Sequence, residues 1–309
     1  IEINISLTPR VYEINEISIQ GNKTPESITV QEIKGNDLVK MPNLYSDVIR
    51  GVKILPGVTS NNELTSAYNV RGGNFDENLI YLNGYEIYRP LLSEQGVEES
   101  QSIVNQNMVG NLKFYNGAFP AKFDDKMSSA LEIGYKKNLD TTMHGNLDVN
   151  LLNMGLTLNK RIGNLNLTGG IRYANPASFA NVLQTSGQYR PKFIDFQFFA
   201  TYNFSESSGL ELFYLQAYNK FDLTPENWEG QFQLSREDIR QITLEYSGKQ
   251  YYSFNRNIAG IKYFGTISDR LTFNAAFSYY YNKETENKNL SNNIFYSEDA
   301  YNPDDNRKY

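Results

Sequence analysis

Beyond residue 128 the side chains alternate between apolar and polar, one position at a time, in run after run. Residues 128–137 put Leu131, Ile133 and Tyr135 on one side, with Glu132, Gly134 and Lys136 on the other. In 165–173, Leu165, Leu167, Ile171 and Tyr173 oppose Asn166, Thr168 and Arg172. In 194–204, Ile194, Phe196, Phe198, Tyr202 and Phe204 oppose Asp195, Gln197, Thr201 and Asn203. In 271–281, Leu271, Phe273, Phe277, Tyr279 and Tyr281 oppose Thr272, Asn274 and Ser278. A period of two is the mark of a β-strand with one apolar and one polar face. Residues 257–267 follow the same rule, whereas 210–221 carry apolar side chains on both parities. In 145–161 the parity flips: Leu147, Val149 and Leu151 are odd, Met154, Leu156 and Leu158 even. One inserted residue turns the faces over, so a β-bulge is expected near Leu152.

The connections separate two architectures. Residues 163–164, 205–208 and 268–269 read as tight turns, while 175–192 and 222–250 are long and polar, and 283–309 enter another long loop. Short turns at one end and long loops at the other is the arrangement of an outer-membrane barrel. A β-sandwich would bury its apolar faces on a second sheet and need not sort loop lengths this way. Tyr and Phe gather near the strand ends, at 251–252, at 279–281 and at Tyr218 and Phe221, as in an aromatic girdle. About seven antiparallel strands are expected. An odd number leaves an open edge that lipid does not tolerate, so a larger barrel is implied.

Before residue 128 the pattern differs. Residues 1–10 alternate through Ile1, Ile3, Ile5 and Leu7 and read as a strand. Residues 11–26 are polar around Ile17-Ser18-Ile19: a linker, or a peptide that adds a strand to a partner's sheet. Within 40–57 a short helix is expected, with Ser46 as N-cap, Asp47 in its first turn, Val48, Ile49 and Val52 on one face, and Pro56-Gly57 ending it. Residues 69–90 carry a glycine turn at Gly72-Gly73 and an apolar strand at 79–82. A type I′ turn follows at Asn83-Gly84, then a return strand at 85–88. A helical turn near 105–109, a strand at 111–115 and a turn at Asn116-Gly117 complete a small α+β domain over 40–127.

Composition narrows the function. The 309 residues include no Cys, one His, 23 Tyr and 18 Phe, with net charge −6. No disulfide framework or thiolate metal site exists, and the charge argues against a nucleic-acid partner. No run of 18 apolar residues encodes a membrane helix, which leaves β-strands as the only means of spanning. The single His144 has no second ligand at useful spacing, and Asp124-Asp125 and Asp304-Asp305 lack calcium-loop spacing. No catalytic constellation, no phosphate loop and no cofactor site is present, so a non-enzyme is expected.

A small α+β domain ahead of a barrel suggests a plug, and the residues agree. DVIRGVKILPGV (47–58), YNVRGG (68–73), NLIYLNGYEIYRP (78–90) and NLKFYNGAFPAKFDDKMSSALEIGYK (111–136) resemble the plug of TonB-dependent outer-membrane receptors. The SusC-like branch, in which an Ig-like extension precedes the plug, is the most similar. The resemblance implies a mainly β fold, with a plug over 40–127 and the first strands of a roughly 22-stranded barrel over 128–309. It also implies the last strand of the extension at 1–10 and a TonB-box region and linker at 11–39, with the box at Glu16, Ile17, Ser18, Ile19 and Gln20. The plug motif falls on Arg71, Gly72, Gly73, Asn83 and Gly84, where Arg71 matches an arginine that pairs with barrel acids. Asn83 stands where the family has Asp.

The implied function is import of a scarce or bulky ligand (glycan, siderophore or peptide) across a Gram-negative outer membrane. TonB would supply the energy, and a SusD-like lipoprotein is the expected lid. The alternatives are a non-transporting subunit of a larger outer-membrane complex, and a soluble β-rich binding module.

Overall fold

The computed structural model describes residues 30–40, 47–60, 65–92, 101–117, 120–123, 125–149, 153–175, 188–233, 239–268 and 270–297. The strand at 1–10, the TonB box at 16–20, Ser46 and the Asp304-Asp305 pair lie outside these residues. In the first half, strands run at Val30–Lys34 (β1), Val58–Thr59 (β2), Asn69–Val70 (β3), Asn78–Leu82 (β4), Tyr85–Glu86 (β5), Val109–Tyr115 (β6) and Ser129–Tyr135 (β7). Five of them make a mixed sheet in the order β1-β6-β7-β4-β5, parallel between β4 and β7, while β2 and β3 pair separately.

Both faces of this sheet are covered. Ile80, Leu82, Leu112, Phe114, Leu131 and Ile133 belong to the main apolar core. Leu79, Tyr115, Phe123 and Ala130 form a second cluster. Each such aliphatic or aromatic side chain contributes about 1.5–3 kcal/mol relative to exposure. Asn83 and Gly84 close β4 onto β5 with φ of 54° and 86°, the two positive values a type I′ turn requires. The return strand is only two residues long.

The helix in 40–57 starts one residue later than expected. It spans Val48–Gly51, and Asp47, not Ser46, is the N-cap, accepting from the backbone N–H of Ile49 and Arg50. Val48, Ile49 and Val52 are fully buried, as their shared face requires. A further helix at Gly35–Lys40 and strand β1 occupy the segment read as linker. The segment 128–137 was expected to open the barrel. Instead it is β7, in the middle of the plug sheet. Period-two alternation reports one covered face but not which sheet covers it.

The second sheet is antiparallel. Its strands are His144–Val149 (β8), Asn153–Ile162 (β9), Leu165–Ala174 (β10), Gln188–Asn203 (β11), Ser208–Thr224 (β12), Trp228–Gln233 (β13), Ile239–Ser268 (β14) and Leu271–Ser297 (β15). Seven pair in chain order, β8-β9-β10-β11-β12-β14-β15, and the short β13 lies on the upper part of β14. The expected bulge near Leu152 falls outside the described residues. β8 and β9 pair antiparallel, with Val149 opposite Met154, which inverts parity as a bulge would. Parts of all three segments read as long loops are also strand: β11 begins at Gln188, β13 and the start of β14 lie within 222–250, and β15 continues to Ser297.

This sheet is polar inside and apolar outside. Thr157, Asn166, Thr168, Arg172, Asp195, Gln197, Thr201, Glu211 and Arg256 are buried, while Leu156, Ile171, Phe196, Leu212, Ile261 and Phe277 are exposed. Water would favour the reverse. On β15 the exposed apolar face runs from Leu271 to Tyr281, the about 9–11 residues a tilted membrane strand needs. On the same parity above it come Lys283 and Thr285, and Lys192 pairs with Lys220 at the matching height on β11 and β12. The apolar band therefore has a charged upper edge. No helix among the described residues is long and apolar enough to cross a membrane.

Candidate functional site: the contact between plug and wall

The register places one row of inward-facing residues across the sheet: Asp148, Gly155, Arg172, Asp195, Ala217, Arg256 and Asn282 are successive partners from β8 to β15. The small residues Gly155 and Ala217 separate the polar ones, and each polar side chain reaches the plug or its neighbour. Asp148 accepts from the Asn107 amide. Arg172 donates from Nε to Asp195 Oδ2 at 2.9 Å, and from its other nitrogens to the carbonyls of Val104 (2.9 Å), Ile103 (2.9 Å) and Ser102 (3.3 Å). Arg256 donates to the carbonyls of Arg89 (2.9 Å) and Leu91, and its Nε to Asn282 Oδ1 at 3.2 Å.

These carbonyls sit on two limbs of one plug element. Leu91 bridges Ser102, Leu92 N–H donates to Gln101 O and Ile103 N–H donates to Pro90 O. The wall therefore holds the 89–92 limb from β14 and the 101–104 limb from β10. Asp47 connects this element to the short helix: its Oδ2 accepts from Ser102 N–H at 2.5 Å and from Ser66 Oγ at 2.6 Å.

One step lower, Gln197 donates to Ile103 O and to Asp195 Oδ1, both at 2.7 Å, and accepts from the Tyr135 hydroxyl. In the same row Gly170 lets the plug approach, since a Cβ there would lie 2.5 Å from Asn105 Nδ2. Lower still, the Tyr85 ring lies over Gly260 and stacks on Phe213 at 5.9 Å. At the base, Glu211 takes Lys137 at 2.5 Å and Lys262 at 3.5 Å.

Burial moves the plug's titratable groups. The Tyr85 hydroxyl is pushed up to about 12, mainly by desolvation, with the Glu211 charge adding to it. Desolvation also raises Tyr68 and Tyr135 and lowers Lys136.

Three solved structures show what this architecture is similar to. A mutant of the ferric enterobactin receptor PfeA from Pseudomonas aeruginosa has TM-score 0.50 at 13% identity, covering 82% of this chain and 49% of its own. FpvA of P. aeruginosa has TM-score 0.48 at 12% identity, covering 87% and 45%. The outer membrane transporter YddB from Escherichia coli has TM-score 0.46 at 10% identity, covering 86% and 53%. The fold is that of the first half of a plugged receptor barrel. The chain spans about half the length of the structures it matches. These neighbours are receptors and transporters, not enzymes. No protein-family model matches the chain, and no curated protein does.

The plug-motif residues divide into turn-makers and one arginine. Gly72 has φ of 85°, whereas Gly73 is needed for closeness: a Cβ there would lie 1.8 Å from Ser128 Oγ. Asn83 is buried, and its Oδ1 accepts from Tyr135 N–H at 2.8 Å, tying the Asn83-Gly84 turn to β7. Arg71 was expected to anchor the plug on barrel acids. It is exposed, with φ of 49°, its guanidinium beside Gly117, and no acid pairs with it among the described residues. The described anchor runs the other way, from wall arginines to plug carbonyls. Its sequence signal was present: Arg172 is the one charge on β10, and Asp195 is a charge on the polar face of β11.

His144 opens β8 and faces Asp140 at 3.2 Å, both exposed. Among the described residues no group of three His, Asp or Glu could hold a metal ion.

Proposed function

We propose that the chain is the plug and early barrel of a TonB-dependent importer in a Gram-negative outer membrane, taking up a scarce or bulky ligand. The observation that carries this reading is the inverted sheet: an apolar band of membrane height outside, and a polar inner wall bonded to a folded plug. A wall built only for rigidity would need no buried charges, because apolar packing is as stable or more so. Charge-assisted bonds to backbone carbonyls can be broken and remade without leaving the plug misfolded.

TonB would add a strand to the segment around Glu16, Ile17, Ser18, Ile19 and Gln20 and pull on β1, the edge strand of the plug sheet. The likeness to siderophore receptors supports a siderophore as ligand. The sequence blocks support the SusC-like branch, and with it a SusD-like lipoprotein lid and a glycan or peptide.

The test is uptake in cells carrying Ile17→Pro and Ile19→Pro in the full-length protein. Loss of uptake with surface binding retained is expected, and unchanged uptake would refute the reading. Arg71, exposed and without an acid partner among the described residues, favours a second reading, in which the same fold is a non-transporting subunit of an outer-membrane assembly. Co-purification with assembly or secretion machinery in fixed stoichiometry would select it.

A further inference from the structure

The two arms that hold the plug are unequal. On the β10–β11 side the Arg172 charge is neutralised in place by Asp195; the two side chains are 9% and 0% exposed. Three plug carbonyls accept from Arg172, and Gln197 adds a fourth bond, to Ile103. If the 101–104 limb moved away, the carbonyls would lose their donors and the neutral pair would recover little hydration.

On the β14–β15 side Arg256 is 2% exposed and no carboxylate lies within ion-pair distance of it among the described residues. The nearby Glu284 is bonded to Arg89 of the plug, in a pair whose side chains are 56% and 36% exposed. If the 89–92 limb moved away, water would reach Arg256, and a charge buried without a counter-charge would regain hydration. Alongside this limb lies a cavity of about 390 Å³, lined by Phe75, Asp76, Tyr88, Arg89, Arg256 and Glu284 among others.

We propose that the plug opens asymmetrically. The 89–92 limb parts from β14 and β15, and from its bonds to Gln101 and Ile103, when the Arg89–Glu284 pair breaks, and the 101–104 limb stays fixed on β10 and β11 by Arg172 and Asp195. The cavity beside the moving limb is the start of the passage. This inference rests on the importer reading for its membrane setting, but it concerns which side of the plug yields.

The experiment uses the full-length protein in planar bilayers, without TonB or ligand. Glu284→Gln removes the exposed pair and raises the open probability by up to about fivefold, the equivalent of an exposed ion pair. The swapped double variant Arg89→Glu/Glu284→Arg restores closure. In detergent, hydrogen exchange of Glu284→Gln rises in peptides covering 86–92 and stays unchanged in peptides covering 104–109. Wild-type conductance and exchange in Glu284→Gln would overturn the inference while leaving TonB-box-dependent uptake intact. A swap that fails to restore closure would overturn it as well. A protein that never inserts into bilayers sinks the membrane reading, and the inference with it.

Discussion

The Arg172–Asp195 pair gives the sharpest test of the idea that the wall's charges serve the plug. Removing one partner, as in Asp195→Ala, leaves a guanidinium buried without its counter-charge and is expected to cost about 3–5 kcal/mol. The informative variant is the double one, Arg172→Met/Asp195→Leu. Were the pair only a self-contained salt bridge, an apolar replacement would be neutral, or more stable by about 1–4 kcal/mol. Here Arg172 also supplies donors to the carbonyls of Ser102, Ile103 and Val104. Each carbonyl left unsatisfied costs about 1–3 kcal/mol. Ile103 O keeps Gln197 as a donor, so the carbonyls of Ser102 and Val104 are the ones left unsatisfied, and against the about 1–4 kcal/mol that apolar packing can return, the double variant should remain destabilised by about 1–2 kcal/mol. The loss should appear in the plug and not in the barrel. Urea titration of the full-length protein in detergent, followed by hydrogen exchange in peptides covering 101–108, separates the two. A double variant as stable as wild type in those peptides would refute the reasoning.

Two further outcomes follow from neighbouring groups. Asp47→Ala removes the helix N-cap, for about 0.5–2 kcal/mol, and leaves Ser102 N–H and Ser66 Oγ without their acceptor, so a total of about 2–4 kcal/mol is expected in a urea titration, with most of the N-cap part recovered in Asp47→Asn. Tyr85 has a folded pKa raised to about 12 from its ordinary 10. The folded state thus holds this proton more tightly, and its contribution is fully present below pH 10 and lost as pH rises from 10 through 12. Because the Tyr85 hydroxyl has no hydrogen-bond partner among the described residues, Tyr85→Phe should keep full stability near neutral pH and lose part of the alkaline decline, read by hydrogen exchange of peptides covering 78–88 between pH 9 and 12.

The sequence showed the wall more fully than the plug, and the reason is periodicity. A strand between lipid and polar lumen has two unlike faces, so Ile171 against Arg172, or Phe196 against Asp195, writes the architecture into adjacent residues. The plug sheet is covered on both sides, and β4 reads simply as Asn-Leu-Ile-Tyr-Leu, with the Asn83-Gly84 turn as its clearest mark. By alternation alone β7 belongs to the wall, whereas it pairs with β4 and β6; the parity flip in 145–161 is met by β8 and β9 as antiparallel partners. Alternation fixes which residues share a face but not what the strand pairs with. The site was legible only in part. Asn83 and the glycines announce backbone geometry, whereas the anchoring carbonyls of Ser102, Ile103 and Val104 carry no side-chain signal at all.

The two long strands also show why the membrane edge is placed where it is. Along β15, the parity that carries Phe273, Phe277, Tyr279 and Tyr281 turns polar from Lys283 onward, with Thr285, Asn287 and Asn289. The opposite parity is polar at Asn282, Glu284 and Glu286, then becomes apolar at Leu290, Ile294 and Tyr296. On β13 and β14 the partners of those last residues continue the change, with Trp228 beside Leu244 and Ile242 beside Tyr296. No bulge intervenes between Tyr281 and Tyr296, so the strand has not turned over; its surroundings have. Below Lys283 the apolar side faces lipid and the polar side faces the plug. Above it water replaces lipid on the outer side, and the inner side no longer meets plug carbonyls that need donors. Arg172, Asp195 and Arg256 thus lie at the height at which the plug offers backbone to hold, as expected if they exist to hold it.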